Sequence, residues 1–417
     1  MTVENLTESR PRSKKYMTYL VIFMGLIALV DNYLSLIEIT AIPKIIDHFG
    51  LTLDEFLRWQ GIFGIVAFLV FLIGGLADLW GRKIGILILL IMMGGSALFI
   101  GLVGASSFWI FIIFYAILIL GTNVNLWTIP ISEESPPKNR AFNGSMAFLI
   151  GLIPLYAFVG EAISDSMGWQ WMYGLMGAFG LLLIVAWIFM KETKRWKTQR
   201  EEFKLKKQRV RFIETIKQFT KKDWLFVVVT GTIYICWNMS FKMATGTVAS
   251  YYQNILSFTP DRFETILIFA GIATILGALS IGIIMDKLGR MVALIFSSVG
   301  AALSYLGLAL HGHPTFMIFI YYFMACFLGF LLVYIPEIFS TKIRGTATGL
   351  SLTLSRLGYV VGPLLAAVIV FQETVATYRL LYIIAGVIAL VPLLSLFFNK
   401  YEPKGKTLEK IQEETKA

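Results

Sequence analysis

Two stretches decide the fold: GGLADLWGRK at residues 74–83 and GIIMDKLGR at residues 282–290. Both fit G-x-x-x-D-x-x-G-R. The first sets Gly74, Asp78, Gly81 and Arg82 in that pattern; the second sets Gly282, Asp286, Gly289 and Arg290 there, 208 positions later. In a chain of 417 residues that offset is almost half the length. Each stretch is short and polar, with a long apolar run on either side. One copy would be a weak signal. Two copies half a chain apart point to a duplication.

Further pairs repeat the offset. Glu133 and Arg140 stand seven apart in EESPPKNR, and Glu337 and Arg344 stand seven apart in EIFSTKIR, 204 positions on. Glu192, followed by Arg195 in KETKRW, has its counterpart at Glu402 in EPKG, 210 positions on. Three pairs at nearly one offset mean that two related halves make up the chain.

The intervals between these motifs are apolar. The hydrophobic set makes up 57% of the chain and charged residues only 15%, against roughly 45–50% and about 25% in soluble proteins. The apolar residues come in runs of about 20, the length that crosses a ~30 Å hydrocarbon layer. Twelve runs fall at 17–45, 58–78, 84–105, 108–130, 141–164, 168–190, 223–250, 263–285, 291–310, 314–336, 346–371 and 379–398. They lack strand alternation, and lipid demands closed backbone hydrogen bonding, so they read as helices. The expected fold is an all-α polytopic membrane protein with twelve transmembrane helices in two six-helix bundles. Residues 1–190 form the N-terminal bundle, 191–222 a basic cytoplasmic linker, and 223–417 the C-terminal bundle with a short tail. The first run is too long for a cleaved signal peptide and reads as a retained helix. Cys236 and Cys326 both lie inside apolar runs and suggest no disulfide framework.

Net charge is +10. In a soluble chain that excess would suggest nucleic-acid binding; here it records topology, and no nucleic-acid partner is expected. With the N-terminus inside, inner loops and termini hold 30 of the 36 Lys+Arg and outer loops hold four. This bias puts both termini in the cytoplasm of a protein spanning the cell membrane, with the lipid bilayer as its partner.

The arrangement resembles the major facilitator superfamily across essentially the whole chain. The segments around Glu133 to Arg140, residues 191–196 and residues 402–409 resemble sugar porters and their metabolite–proton symport relatives. YIPEIFSTKIRGT at residues 334–346 is closer to the organic-acid and organic-ion branches. The resemblance implies alternating access, a functional monomer and a substrate site near the midplane between parallel repeats. It also implies a cytoplasmic gate made by Gly74, Asp78, Gly81, Arg82, Glu133, Arg140, Glu192, Arg195, Asp286, Gly289, Arg290, Glu337, Arg344 and Glu402. The aspartates can accept hydrogen bonds from helix N-terminal N–H groups, those of the eleventh and fifth helices by the resemblance. Glu133, Arg140, Glu192, Arg195, Glu337 and Arg344 can form charge pairs that make and break between states.

Ionisable residues inside spans are costly unless they pair or line water. Asp31 lies halfway along span one, and Glu38 follows seven residues later on nearly the same helical face. Burial favours the protonated carboxyl, which makes both candidates for proton coupling. Glu161 lies nearer the outer end of span five, where it can reach water. Lys242 in span seven can neutralise a span-one carboxylate or bind an anionic substrate. Arg356 in span eleven follows Arg344 by twelve residues, like an arginine that organic-anion transporters use in this helix, and a guanidinium grips carboxylates bidentately. Asn123 and Trp127, on one face of span four, and Asn238 in span seven are further substrate contacts, with interhelical packing as the alternative.

Departures from the sugar-porter pattern count against a hexose. Phe148 stands where those porters place glutamine. Aligning Tyr251 and Tyr252 with their paired tyrosines puts Phe241 and Lys242 at two glutamine positions. No metal constellation, cofactor loop or catalytic triad is present, so an enzyme is not expected. The expected activity is proton-coupled symport of a small organic metabolite, leaning to a carboxylate. A sugar transporter or uniporter is the alternative, and a transporter-like membrane sensor is the alternative of another class.

Overall fold

The computed structural model describes residues 12–70, 77, 80–122, 124–136, 140–198, 201, 217, 219–339, 343–398 and 402. Every regular element among them is helical. Among the described residues, ten helices are long and apolar enough to cross a membrane. Spans one, three, five and six are Lys14–Leu36, Arg82–Ser106, Phe142–Met167 and Gln170–Ile188. Spans seven to twelve are Lys221–Ile255, Pro260–Lys287, Arg290–His311, Pro314–Ile335, Thr346–Ile369 and Val375–Phe397. Span four is a shorter apolar helix, Phe108–Gly121. Span two opens as Leu53–Phe63 and tightens to the 3-10 segment Gly64–Leu69.

The helix starts follow from local chemistry. Thr52 and Thr220 each close a capping box, with Glu55 and Asp223 as the returning carboxylates. Pro260 and Pro314 stand in the first turn of their helices, where a missing N–H costs nothing. Large apolar side chains such as Leu182, Ile188, Leu303 and Val368 stand exposed, as lipid-facing residues do.

Spans one and four are among those that depart from the expected single helix. Span one is interrupted at Ile37 and resumes as Glu38–Phe49, with Pro43 inside it. Span four, expected to run to residue 130, ends at Gly121, and a separate short helix forms at Thr128–Glu134. Asn125 between them takes a left-handed φ of 54°, a conformation asparagine tolerates and a continuing helix forbids. Trp127 therefore lies beyond the end of the span-four helix.

The chain divides into two compact units, residues 1–37 with 69–211 and residues 38–68 with 212–417. In the first, polar groups of span one tie to carbonyls of spans five and six. Asn32 Nδ2 donates to Gly151 O at 2.8 Å, Tyr33 OH to Met172 O at 2.9 Å, and Tyr19 OH to Ala186 O at 2.6 Å. In the second, Trp237 Nε1 donates to Met324 O at 2.8 Å and Tyr305 OH to Ser240 O at 3.0 Å. Side-chain donors thus find carbonyls on neighbouring helices, as interhelical polar contacts in membranes do.

Candidate functional site

Glu38 and Lys242 form a buried ion pair in the second unit. They are 3% and 8% exposed. Lys242 Nζ donates to Glu38 Oε1 at 2.5 Å, and Gln60 Nε2 donates to Glu38 Oε2 at 3.1 Å. Both carboxylate oxygens thus have a donor, one charged and one neutral, supplied by spans seven and two. Lys242 Nζ also stands 5.0 Å from the centre of the Tyr359 ring, and Arg356 Cζ stands 5.2 Å from the same centre. Arg356 is 4% exposed. One phenol ring therefore faces two buried cations, each within cation–π range.

A break in span eleven presents Arg356. The helix Arg344–Ser355 stops, and Leu357–Ile369 takes over. Tyr359 N–H turns back to Arg356 O at 3.0 Å. It would bond Ser355 O in a continuous α-helix, so the break releases that carbonyl. Asn238 Nδ2 takes it up, donating at 3.0 Å from span seven. The two spans can meet this closely because residue 358 is glycine: a Cβ there would lie 2.5 Å from Asn238 Cβ. Asn238, expected as a substrate contact, uses an amide N–H to hold this break. Span two adds a similar approach, where a Cβ on Gly64 would lie 3.0 Å from Tyr359 O.

The duplicated motifs fold into duplicate clusters, one in each unit. In the first, Arg82 Nε and Nη2 donate to Glu133 Oε1 at 3.2 and 3.1 Å, and Nη1 donates to Ala77 O at 3.0 Å. Glu192 accepts the backbone N–H groups of Arg82 and Lys83 at 2.9 and 3.1 Å. In the second, Arg290 Nε and Nη2 donate to Glu337 at 3.0 and 2.9 Å, and Nη1 donates to Met285 O at 2.9 Å. Glu402 accepts the N–H groups of Arg290 and Met291, each at 3.0 Å. Each carboxylate thus sits at the positive end of a helix dipole and satisfies two orphan donors.

Gly81 and Gly289 make this possible. Their φ values are 114° and 107°, in the region left to glycine. A Cβ would approach Glu192 Oε2 to 2.1 Å in one and Glu402 Oε2 to 2.8 Å in the other. Gly289→Ala is expected to cost about 1–3 kcal/mol from the backbone alone, read as a lowered melting temperature in detergent. An unchanged melt would mean the loop relaxes freely.

Glu192, expected in a charge pair, caps the start of span three, and Glu402 caps the start of span nine. Asp286, expected to meet the start of another helix, is an exposed carboxylate 3.6 Å from Arg290 Nη1. Arg195 is exposed. Gly74, Asp78, Asn123 and the side chains of Arg140 and Arg344 lie outside the described residues. Arg12, Glu134 and Thr193 were not foreseen. Arg12 Nε donates to Glu134 Oε2 at 2.5 Å, and Thr193 Oγ1 donates to Glu133 Oε2 at 2.6 Å.

Three first-unit residues complete the set. Asp31 is 5% exposed, and Ser35 Oγ lies 3.5 Å from its Oδ1. Trp127 is 5% exposed and stacks on Phe148, centroids 6.4 Å apart and planes at 14°. Its indole N–H is buried and meets no acceptor among the described residues. Glu161, expected to reach water, is 8% exposed.

Comparison with known proteins places this architecture. Residues 21–336 match the Major Facilitator Superfamily. The glucose transporter GlcP of Staphylococcus epidermidis is 25% identical over 382 residues, 82% of this chain and 84% of that one. The cis,cis-muconate transport protein of Acinetobacter baylyi is 24% identical over 313 residues, 70% of this chain and 72% of that one. A structure of the proton:xylose symporter XylE from E. coli superposes with a TM-score of 0.72 at 17% identity, covering 96% of this chain and 99% of that one. The chain is a non-enzymatic, all-α transport protein with the twelve-helix architecture, and it belongs to the Major Facilitator Superfamily.

Proposed function

We propose that the protein carries out proton-coupled symport of a small organic carboxylate by alternating access. The observation that carries the carboxylate is the placing of two buried cations, Lys242 and Arg356, on one Tyr359 ring. A hexose is held by uncharged donors and acceptors; here Lys242 already meets the Glu38 carboxylate, and Arg356 brings a second positive charge to the same ring, a setting that favours an anion. The likeness to a muconate transport protein supports the same reading; the glucose transporter and the xylose symporter support a sugar. Proton coupling is supported by the buried carboxyls Asp31 and Glu38 and by the likeness to a proton symporter. Two six-helix repeats, 1–190 and 223–417, joined by the linker 191–222, act as one monomer in the cell membrane with both termini inside.

Uptake into proteoliposomes tests the substrate class, with labelled cis,cis-muconate, benzoate, pyruvate, glucose and galactose offered in parallel. Saturable uptake of a carboxylate, blocked by Arg356→Gln, is the expected result. Uptake of sugars alone overturns it. Trp127 gives a finer check. Its unpartnered N–H is an available donor for a substrate oxygen, and Trp127→Phe removes it while keeping the stacked ring. A lost hydrogen bond to a charged acceptor is worth about 1.5–3 kcal/mol, so apparent affinity should fall by at least about tenfold. Unchanged affinity would make Trp127 a packing residue.

A further inference from the structure

Glu38 already occupies, inside the protein, the place an anionic substrate would take on Lys242. We propose that Glu38 is a resident stand-in for the substrate carboxylate: the two alternate on Lys242, and Glu38 carries the co-transported proton while displaced. This rests on the carboxylate reading above and adds what links the proton to the anion. Lys242 keeps its ammonium charge throughout. That charge is met by the Glu38 carboxylate at 2.5 Å. When a substrate carboxylate takes its place, an ionised Glu38 would be a second buried anion beside the first. Taking up one proton removes that charge. One carboxylate and one proton enter together, and the net charge of the cluster is unchanged.

The surroundings of Glu38 suit the exchange. Gln60 Nε2 donates to Oε2 at 3.1 Å, and a neutral amide can stay with the carboxyl group in either form. The Tyr359 ring, 5.0 Å from Lys242 Nζ, gives the ammonium a second, weaker contact that survives the departure of Glu38. Other charged groups are few. Span eleven brings Arg356 and Tyr359. Span two carries Asp54, Glu55 and Arg58 in the turns before Gln60, with Arg58 and Asp54 paired at 3.1 Å. Glu38's own element carries Lys44, Asp47 and His48 after it, and the Val248–Ser250 turn packed on that element has no titratable side chain. Arg356 adds positive charge next to the exchanged site, so it favours an arriving anion without competing for the proton.

The exchange separates two activities that a shared site would lose together. Gln at position 38 resembles the protonated carboxyl, so Glu38→Gln should still load and exchange the anion but should lose pH-driven concentration. Proteoliposomes holding the full chain are assayed with labelled cis,cis-muconate, benzoate and pyruvate, for counterflow without a gradient and for accumulation with an inside-alkaline gradient. Wild type is expected to do both. Glu38→Gln should keep counterflow, and its accumulation should collapse to the level seen without a gradient. Lys242→Gln should lose both while still eluting as a monodisperse peak in detergent, which separates lost anion binding from misfolding. Accumulation that persists in Glu38→Gln, or counterflow that persists in Lys242→Gln, overturns the exchange and leaves the carboxylate reading standing. Wild type that moves no carboxylate overturns both.

Discussion

Glu38→Ala is expected to lower the stability of the detergent-solubilised protein by about 3–5 kcal/mol, and Glu38→Ala/Lys242→Ala to recover most of that loss. Truncating the carboxylate leaves the Lys242 ammonium, 8% exposed, without the 2.5 Å partner that meets its charge. The penalty comes from stranding a desolvated charge; the bond itself contributes less. Removing both charges removes the stranded group, which is why the double variant should stand close to wild type. Thermal melts of the two single variants and the double variant close the cycle. A double variant as unstable as the sum of the singles would mean that the pair is not coupled, and the account of Lys242 would fail with it.

The second large effect divides the two motif clusters. Arg82 and Arg290 make corresponding contacts, each with one glutamate and one main-chain carbonyl, yet their carboxylate partners differ in exposure. The Glu133 side chain is 9% exposed and that of Glu337 is 26% exposed. Arg82→Ala therefore strands a nearly dry carboxylate, at about 3–5 kcal/mol. Arg290→Ala leaves a carboxylate that water can reach, at about 1–3 kcal/mol. Melting of each variant at one pH measures the difference. Equal losses would show that burial does not set the strength of these clusters, and a larger loss at Arg290 would reverse the argument.

Much of this arrangement was legible in the residues. The repeated G-x-x-x-D-x-x-G-R pattern and the paired glutamates located the members of both clusters, because a duplication writes the same contacts twice. Which carboxylate does what was less legible. Glu192 and Glu402 lie more than 100 positions from the N–H groups they cap, and no local pattern joins them.

The misread span has a local cause. Periodicity carried span four through residues 122–127, where turn chemistry deserved more weight: Asn123, Asn125 and Pro130 together signal a chain that stops and restarts. Gln60 and Tyr359 escaped notice because attention to ionisable groups passes over the neutral residues that complete their shells. Gln60 sits within an apolar stretch, and an amide there needs a partner; that was the available signal. The choice of Glu38 by Lys242 was foreseeable only as one of two options, since sequence depth does not say which span-one carboxylate faces span seven.

The central claim is that anion entry and proton entry are one event. Simultaneous recording of labelled cis,cis-muconate uptake and of external pH, in lightly buffered proteoliposomes with no imposed gradient, addresses it most directly. The account predicts that adding the substrate outside alkalinises the medium as uptake proceeds, and that Glu38→Gln removes the alkalinisation. Uptake of muconate with no movement of protons would contradict it.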